Sequence, residues 1–313
     1  MDPLTEPQVV LTHESDLDGL VSGLLLQRLA RHLFGKEVPL EAYHYQGWKA
    51  RQLSERTAWV SDFTFEARLD RKGWLVVDHH ATETRPSAAR LIHDPSKSAS
   101  RLCHDLVREH GLGSPELDRI VQLADIGDLF EETHDDFVEA CDYANLVKSY
   151  GFWNLHSLIG GRIEALLDHP LLEVMRVRRR VEDPIGFAWA REHVEALSPE
   201  VGLVRPVVGN TNVIVHQLLE RGATPHPVLA TLFKKGNGAF IVSFRSRHGE
   251  ALKVAARFDG GGHPNASGTT LPRSVNDHES AVQYLRQHLA PATTPTPLNG
   301  LGDLMLQWEQ TRR

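Results

Sequence analysis

The chain has 313 residues, enough for about two domains at roughly 150 residues each. A hydrophobic fraction of 41 % and a charged fraction of 24 % are ordinary globular values and exclude long disorder over most of the length. With 34 basic against 41 acidic residues the net charge is −7, which excludes a protein that coats nucleic acid through a global basic field.

The first eight residues carry two acids and predict no signal peptide. Residues 9–12, Val-Val-Leu-Thr, are a β-branched run that predicts a buried strand. It runs into His13-Glu14-Ser15-Asp16-Leu17-Asp18-Gly19. From Gly19 to about Phe34 apolar residues recur at Leu20, Leu24, Leu25, Leu29 and Leu33, which is helical spacing. Residues 57–61 predict a second strand ending at Asp62, and residues 73–77 a third ending at Asp78-His79-His80. Near-continuous apolar strands separated by helical patterns predict an α/β fold with a parallel sheet covered on both faces. Helices are expected over 98–110 and 116–129, the second carrying Asp125 and Asp128.

The pattern stays helical from about 158 to 196, with the basic run Arg176, Arg178, Arg179, Arg180, and Pro184-Ile185-Gly186 interrupts it. Strands over 201–208, 227–233 and 239–245 and helices over 211–221, 250–258 and 277–289 predict a second, smaller α/β domain. Lys235-Gly236-Asn237-Gly238 reads as a hairpin turn inside it. Residues 291–297 are a Thr- and Pro-rich linker, and the last stretch predicts a short amphipathic helix on Leu301, Leu304, Leu306 and Trp308. The expected domains are therefore 1–185 with a helical linker to about 200, 201–290, and a tail over 291–313. Cys103 and Cys141 are too few for a disulfide framework and are expected as buried hydrophobes in a reducing cytoplasm. The longest apolar runs are too short to span a bilayer, so no membrane contact is expected.

Ligands of open parallel sheets bind beyond the carboxyl ends of the strands. Three predicted strands end in carboxylate or imidazole, and these ends are expected to converge. Histidine and several carboxylates without a thiolate suit Mn²⁺ or another octahedral divalent ion better than structural zinc. Asp16 and Asp18, two apart in a loop, are able to face different ions, and Asp62 is able to bridge two. Each cluster alone also has a plainer explanation. Asp16 or Asp18 caps a helix at Gly19, Asp62 is a turn residue, His13 ends a strand, and Asp125 and Asp128 are solvated helix residues. Asp78-His79-His80 is harder to explain that way, because three polar groups at the end of a buried strand are costly unless paired or liganded. Gly260-Gly261-Gly262-His263 reads as a glycine loop whose N–H groups cradle an anion. The alternative is a flexible turn. Arg245-Ser246, at a strand end, offers a fork for phosphate, or a surface arginine.

LTHESDLDG, VSDF, VVDHH, ADIGD, SFRSR and GGGHPNASG together resemble the DHH phosphoesterase superfamily, the last two its GGGH-type DHH-associated C-terminal domain. The resemblance runs from about Val9 to Leu289. It implies a two-domain enzyme with the active site in the cleft between the domains and two Mn²⁺ ions, with Co²⁺ or Mg²⁺ as substitutes. His13, Asp16 and Asp62 would hold one ion, and Asp18, Asp62, His79 and Asp128 the other. Asp125 is the alternative to Asp128. Asp78 would orient His79, and His80 would face the phosphate or leaving oxygen. Arg245, Ser246, Gly260, Gly261, Gly262 and His263 would bind the distal end of the substrate.

The C-terminal motif argues against the pyrophosphatase branch, and the chain is shorter than the RecJ exonucleases. What the resemblance implies is a cytoplasmic phosphodiesterase or exonuclease that degrades short RNA or DNA oligonucleotides to nucleoside monophosphates. The alternatives are a pAp-type nucleotide phosphatase, a cyclic or linear dinucleotide phosphodiesterase, and a nucleotide-binding regulator without turnover. A homodimer is compatible with the sequence.

Overall fold

The computed structural model of the protein describes residues 3–235 and 238–290. The predicted turn at Gly236-Asn237 and the predicted linker, helix and tail over 291–313 lie outside the described residues. The chain divides into two compact units, Met1–Glu182 and Asp183–Arg313.

The first unit runs β1 (Val10–His13), α1 (Leu17–Phe34), β2 (Leu40–Tyr43), α2 (Tyr45–Ala50), β3 (Trp59–Ser61), β4 (Leu75–Asp78), β5 (Arg90–His93), α3 (Ala99–Glu109), α4 (Pro115–Asp128), α5 (Phe137–Tyr150) and α6 (Phe152–Leu158). The five strands form one parallel sheet in the order β2-β1-β3-β4-β5. Alternation along the strands sorts side chains to two faces. Val10, Trp59, Leu75 and Val77 join the larger core under α1, α3, α4 and α5. Leu11, Val60 and Val76 face a second core with Trp48, Phe63, Phe65, Leu69 and Trp74. That second face is covered by α2 and the irregular chain around it. The three central strands follow the apolar runs. The edge strands β2 and β5 do not, because their residues are mostly half-buried and their sequences, LEAY and RLIH, carry no apolar run.

The helix α7 (Leu171–Glu192) leads from the first unit into the second and contains Pro184. The expected interruption at Pro184-Ile185-Gly186 is corrected: the helix continues through it. Pro184 is exposed, and so is Arg180, the residue whose carbonyl loses its N–H partner. The helical stretch expected from 158 is also shorter at its start. Gly160 and Gly161, both at positive φ, break the chain between α6 and α7.

The second unit continues with β6 (Glu195–Ala196), β7 (Val201–Val204), α8 (Thr211–Glu220), β8 (Val228–Lys234), β9 (Phe240–Ser246), α9 (Glu250–Ala256), β10 (Gly261–His263), β11 (Ala266–Thr270) and α10 (His278–Leu289). Its sheet order is β10-β11-β9-β8-β7-β6, with β7 and β8 parallel and the other pairs antiparallel. Val228, Ala230, Val242 and Phe244 pack with Ala251, Val254, Val282 and Leu285 of α9 and α10. The protein is thus α/β, with a parallel sheet in one unit and a separate mixed sheet in the other. Among the described residues no helix is long and apolar enough to cross a membrane.

Candidate metal centre

The site sits at the carboxyl ends of β1, β3 and β4. Beyond β1 the chain turns at once into α1, and two glycines allow the approach. A Cβ on Gly19 would lie 2.0 Å from the His13 carbonyl oxygen, and one on Gly23 would lie 2.6 Å from Thr12 Cγ2. Three buried hydroxyls tie this turn to the neighbouring strand. Ser22 donates to Ser61 (3.0 Å), Ser61 to Thr12 (3.0 Å), and Thr12 to the Gly19 carbonyl (2.6 Å). Asp16 caps α1, accepting from the Gly19 N–H at 2.9 Å.

In this frame His13, Asp16 and Asp62 each bring a donor atom within 4.8 Å of the others. His13 Nδ1 lies 2.8 Å from Asp16 and 3.3 Å from Asp62. Asp18, His79 and Asp128 form a second such group, and Asp62, His79 and His80 a third. His79 Nε2 is 3.7 Å from Asp62 and 3.4 Å from Asp128. Asp62 thus stands between the groups, 3 % exposed in its side chain and held at φ 58 at the end of β3. Asp tolerates this left-handed backbone better than most residues.

The electrostatics are those of a place built for positive charge. Burial, and then the Asp62 carboxylate, push the Asp18 carboxyl up. Burial, and then Asp18 and Asp62, push Asp128 well above the carboxylate range. Burial alone would also raise Asp62, but the imidazoles of His13 and His79 outweigh it and hold its carboxyl low. Burial disfavours the imidazolium forms, yet the neighbouring carboxylates prevail. Asp16 and Asp62 raise His13 to about 11, and Asp62 and Asp18 raise His79 to about 9. Crowded carboxylates that repel one another, with imidazoles between them and no thiolate among the grouped donors, fit a pair of hard divalent cations.

The two acids of α4 separate clearly. Asp125 accepts from the Ser98 N–H at 2.7 Å and so serves the start of α3, while Asp128 reaches His79. Asp18 combines two roles. Its oxygens accept from the N–H groups of Ala99 (2.9 Å) and Ser100 (2.7 Å), fixing the carboxylate against the first turn of α3. Asp78 Oδ1 lies 2.8 Å from His80 Nδ1, so Asp78 holds the His80 ring. Strand alternation puts residues two apart on one side. Burial lowers the His80 pKa, but Asp78 and then Asp62 raise it overall.

In the second unit the glycine run departs from the expected loop. Gly261–His263 is β10, an exposed edge strand paired with β11. Gly260 and Gly262 are needed for this packing, since a Cβ would lie 2.5 Å from the Gly268 carbonyl and 2.7 Å from the Ala266 carbonyl. His263 is exposed. Ser246 is buried and its hydroxyl is engaged inside the unit, accepting from the Ala251 N–H (2.9 Å) and donating to Asn265 (3.3 Å). Arg245 is half-buried, donates to the Phe244 carbonyl (3.1 Å) and Asn212 (3.3 Å), and has no carboxylate partner among the described residues. Burial holds its pKa below the usual guanidinium value. Sequence reasoning missed the hydroxyl chain of Thr12, Ser22 and Ser61. It also missed the neighbours of His13 on β2 and α2, where no apolar run marks the elements.

No family model matches the sequence. Solved structures do. The chain is similar to a pGpG-specific phosphodiesterase, PggH, from Vibrio cholerae, at 15 % identity and a TM-score of 0.54, covering 90 % of this chain and 99 % of that one. It is similar to the DHH domain of a member of a family of ribosomal proteins, at 15 % identity and a TM-score of 0.52, covering 90 % and 86 %. It is also similar to RecJ from Thermus thermophilus in complex with Mn²⁺, at 16 % identity and a TM-score of 0.50, covering 89 % of this chain and 51 % of that one. The fold is that of the DHH phosphoesterases.

Proposed function

We propose that the protein is a divalent-metal-dependent phosphodiesterase that hydrolyses short oligonucleotides to nucleoside monophosphates in the cytoplasm. The observation that carries the reading is the pair of histidine–carboxylate groups on either side of Asp62. The fold shared with a pGpG-specific phosphodiesterase, and with RecJ in complex with Mn²⁺, supports it. His13, Asp16 and Asp62 would hold one ion, and Asp18, Asp62, His79 and Asp128 the other. Mn²⁺ is the preferred ion, with Mg²⁺ or Co²⁺ as substitutes. Bound there, two such cations supply positive charge against the reacting phosphate and acidify an attacking water.

The remaining work falls to the side chains. Asp78 fixes the His80 ring through Nδ1, and His80 would hold or deliver a proton at the leaving oxygen. The hydroxyl chain keeps Asp16 and Asp18 in place while charge develops. In the second unit, Arg245 and His263 with the glycine strand would bind the distal end of the substrate. A guanidinium that is half-buried without a carboxylate suits a phosphate. Few phosphate contacts are needed on so short a chain, so the net charge of −7 is no obstacle.

A linear dinucleotide is the favoured member of the class, because the pGpG-specific phosphodiesterase is matched over nearly its whole length. The test is hydrolysis of di- to pentanucleotides, pAp and cyclic dinucleotides by purified protein, with and without Mn²⁺. Turnover of pAp alone would replace the reading with a phosphomonoesterase. Binding without any turnover would replace it with a nucleotide-binding regulator.

A further inference from the structure

Beside the centre, on the edge strand β2, lies a feature that the reaction does not use. β1 and β2 pair with His13 opposite Tyr43, and the Glu14 N–H donates to the Tyr43 carbonyl at 3.1 Å. Tyr43 therefore stands about one strand spacing, roughly 4.8 Å, from His13, and α2 starts two residues on. His44 Nδ1 lies 3.5 Å from Glu14 Oε1, which keeps the two segments together. Helix α2 begins here. It is short, but it is firmly seated. Trp48 is 2 % exposed and stacks on Phe63 with ring centroids 4.1 Å apart and planes within 6°. Phe63 in turn meets the His13 ring edge-on at 5.8 Å. Arg68 lies over the other side of the Trp48 position, 4.5 Å from the ring, and donates to the Trp48 carbonyl at 3.0 Å.

This seated helix presents Tyr45 in its first turn with the side chain 57 % exposed. Lys49, one turn on, has its Nζ 4.4 Å from the Tyr45 ring centroid and no carboxylate partner among the described residues. An exposed aromatic ring with an uncompensated cation over one face, on a seated helix, suits the binding of an unpaired nucleotide. The ring stacks a base of any identity, and the cation meets the adjoining phosphate. Taking the phosphodiesterase reading as given, we infer that Tyr45 and Lys49 form a nucleobase subsite in the first unit. It receives one unpaired base of the short oligonucleotide next to the scissile phosphate. Because stacking reads the π-face, the subsite accepts purines and pyrimidines alike and selects for nucleotides over base-free phosphoesters.

The test is equilibrium binding. A dinucleotide carrying 2-aminopurine and a hydrolysis-resistant methylene-bridged linkage is titrated into the full-length protein at saturating Mn²⁺. Wild type should quench its fluorescence, and Tyr45→Phe and Tyr45→Trp should bind within about twofold of wild type. Tyr45→Ala should weaken binding about tenfold, equivalent to about 1.4 kcal/mol, with the quench lost. Lys49→Ala should weaken binding and reduce its salt dependence. Tyr45→Ala binding within twofold of wild type, or wild type showing no quench, overturns the subsite. Failure of the phosphodiesterase reading is read separately, as the absence of Mn²⁺-dependent hydrolysis of bis-p-nitrophenyl phosphate by wild type.

Discussion

Asp62 gives the sharpest test of the centre. Its carboxylate lies 3.3 Å from His13 Nδ1 and 3.7 Å from His79 Nε2. At an effective dielectric of about 20, single charges at those separations attract by about 5 and 4.5 kcal/mol. Neutralising the residue by Asp62→Asn therefore removes the one carboxylate that faces both imidazoles. The variant keeps volume, and asparagine tolerates the φ of 58 as aspartate does. Loss of a residue that merely supports a ligand costs about 10–100-fold in metal affinity. A residue that serves both groups should cost at least a hundredfold, about 2.7 kcal/mol. The kcat at saturating Mn²⁺ should fall below a tenth of wild type, more than about 1.4 kcal/mol in barrier. Asp62→Gly removes the same carboxylate but suits the backbone better, so it should melt above Asp62→Asn while binding metal no better. Isothermal titration with Mn²⁺, thermal melting in chelator and hydrolysis of bis-p-nitrophenyl phosphate give the three readouts. An Asp62→Asn protein that binds two equivalents of Mn²⁺, or keeps more than a tenth of kcat, would refute the shared position.

His79→Ala should lower Mn²⁺ affinity, whereas His80→Ala and Asp78→Asn should lower kcat at saturating Mn²⁺ by similar factors and not additively; a metal titration in which Asp78→Asn tracks His79→Ala would break that assignment. His13 and His79, raised to about 11 and about 9, are protonated in the metal-free protein at pH 7.5 and must be neutral to bind metal. Mn²⁺ binding there should release at least these two protons, because Asp128, held well above the carboxylate range, must also be ionised to bind, and fewer at pH 10; calorimetry in buffers of different ionisation enthalpy that shows no release contradicts the charge states. Arg245→Ala should raise KM on dinucleotides by about 10–100-fold, the range expected when a charge-assisted contact worth about 1.5–3 kcal/mol is lost; an unchanged KM would remove Arg245 from substrate binding.

The sequence reveals those parts of the fold that leave an apolar signature. β1, β3 and β4 are buried on both faces, so their runs mark them and their last residues mark the candidate centre. β2 and β5 are half-buried edges, and their pairing is set by backbone contacts that no side-chain pattern records. The same holds for Gly261–His263, which is a strand because β11 offers it a ladder. Asp125 and Asp128 share a helical face at a spacing of three, and what tells them apart is distant in sequence: the Ser98 N–H on Asp125 and the His79 ring on Asp128. The pairing of Asp78 with His80 was implicit in strand alternation. The hydroxyl chain was not, since Thr12, Ser22 and Ser61 come from three separate elements.

The tight seating of α1 on β1 enlarges the genetic target of the centre beyond its donors. Gly19 and Gly23 offer nothing but hydrogen atoms, yet the space for a methyl group at each is already filled by His13 and Thr12. Any side chain there must push the helix away from the strand end, and Asp16 and Asp18 ride on that helix. In a saturation screen for function these two positions should therefore be as intolerant as the carboxylates. Second-site suppressors of a Gly23 substitution should arise at Thr12, where a smaller residue returns the missing space, whereas Gly19 faces the His13 backbone carbonyl and should have none there.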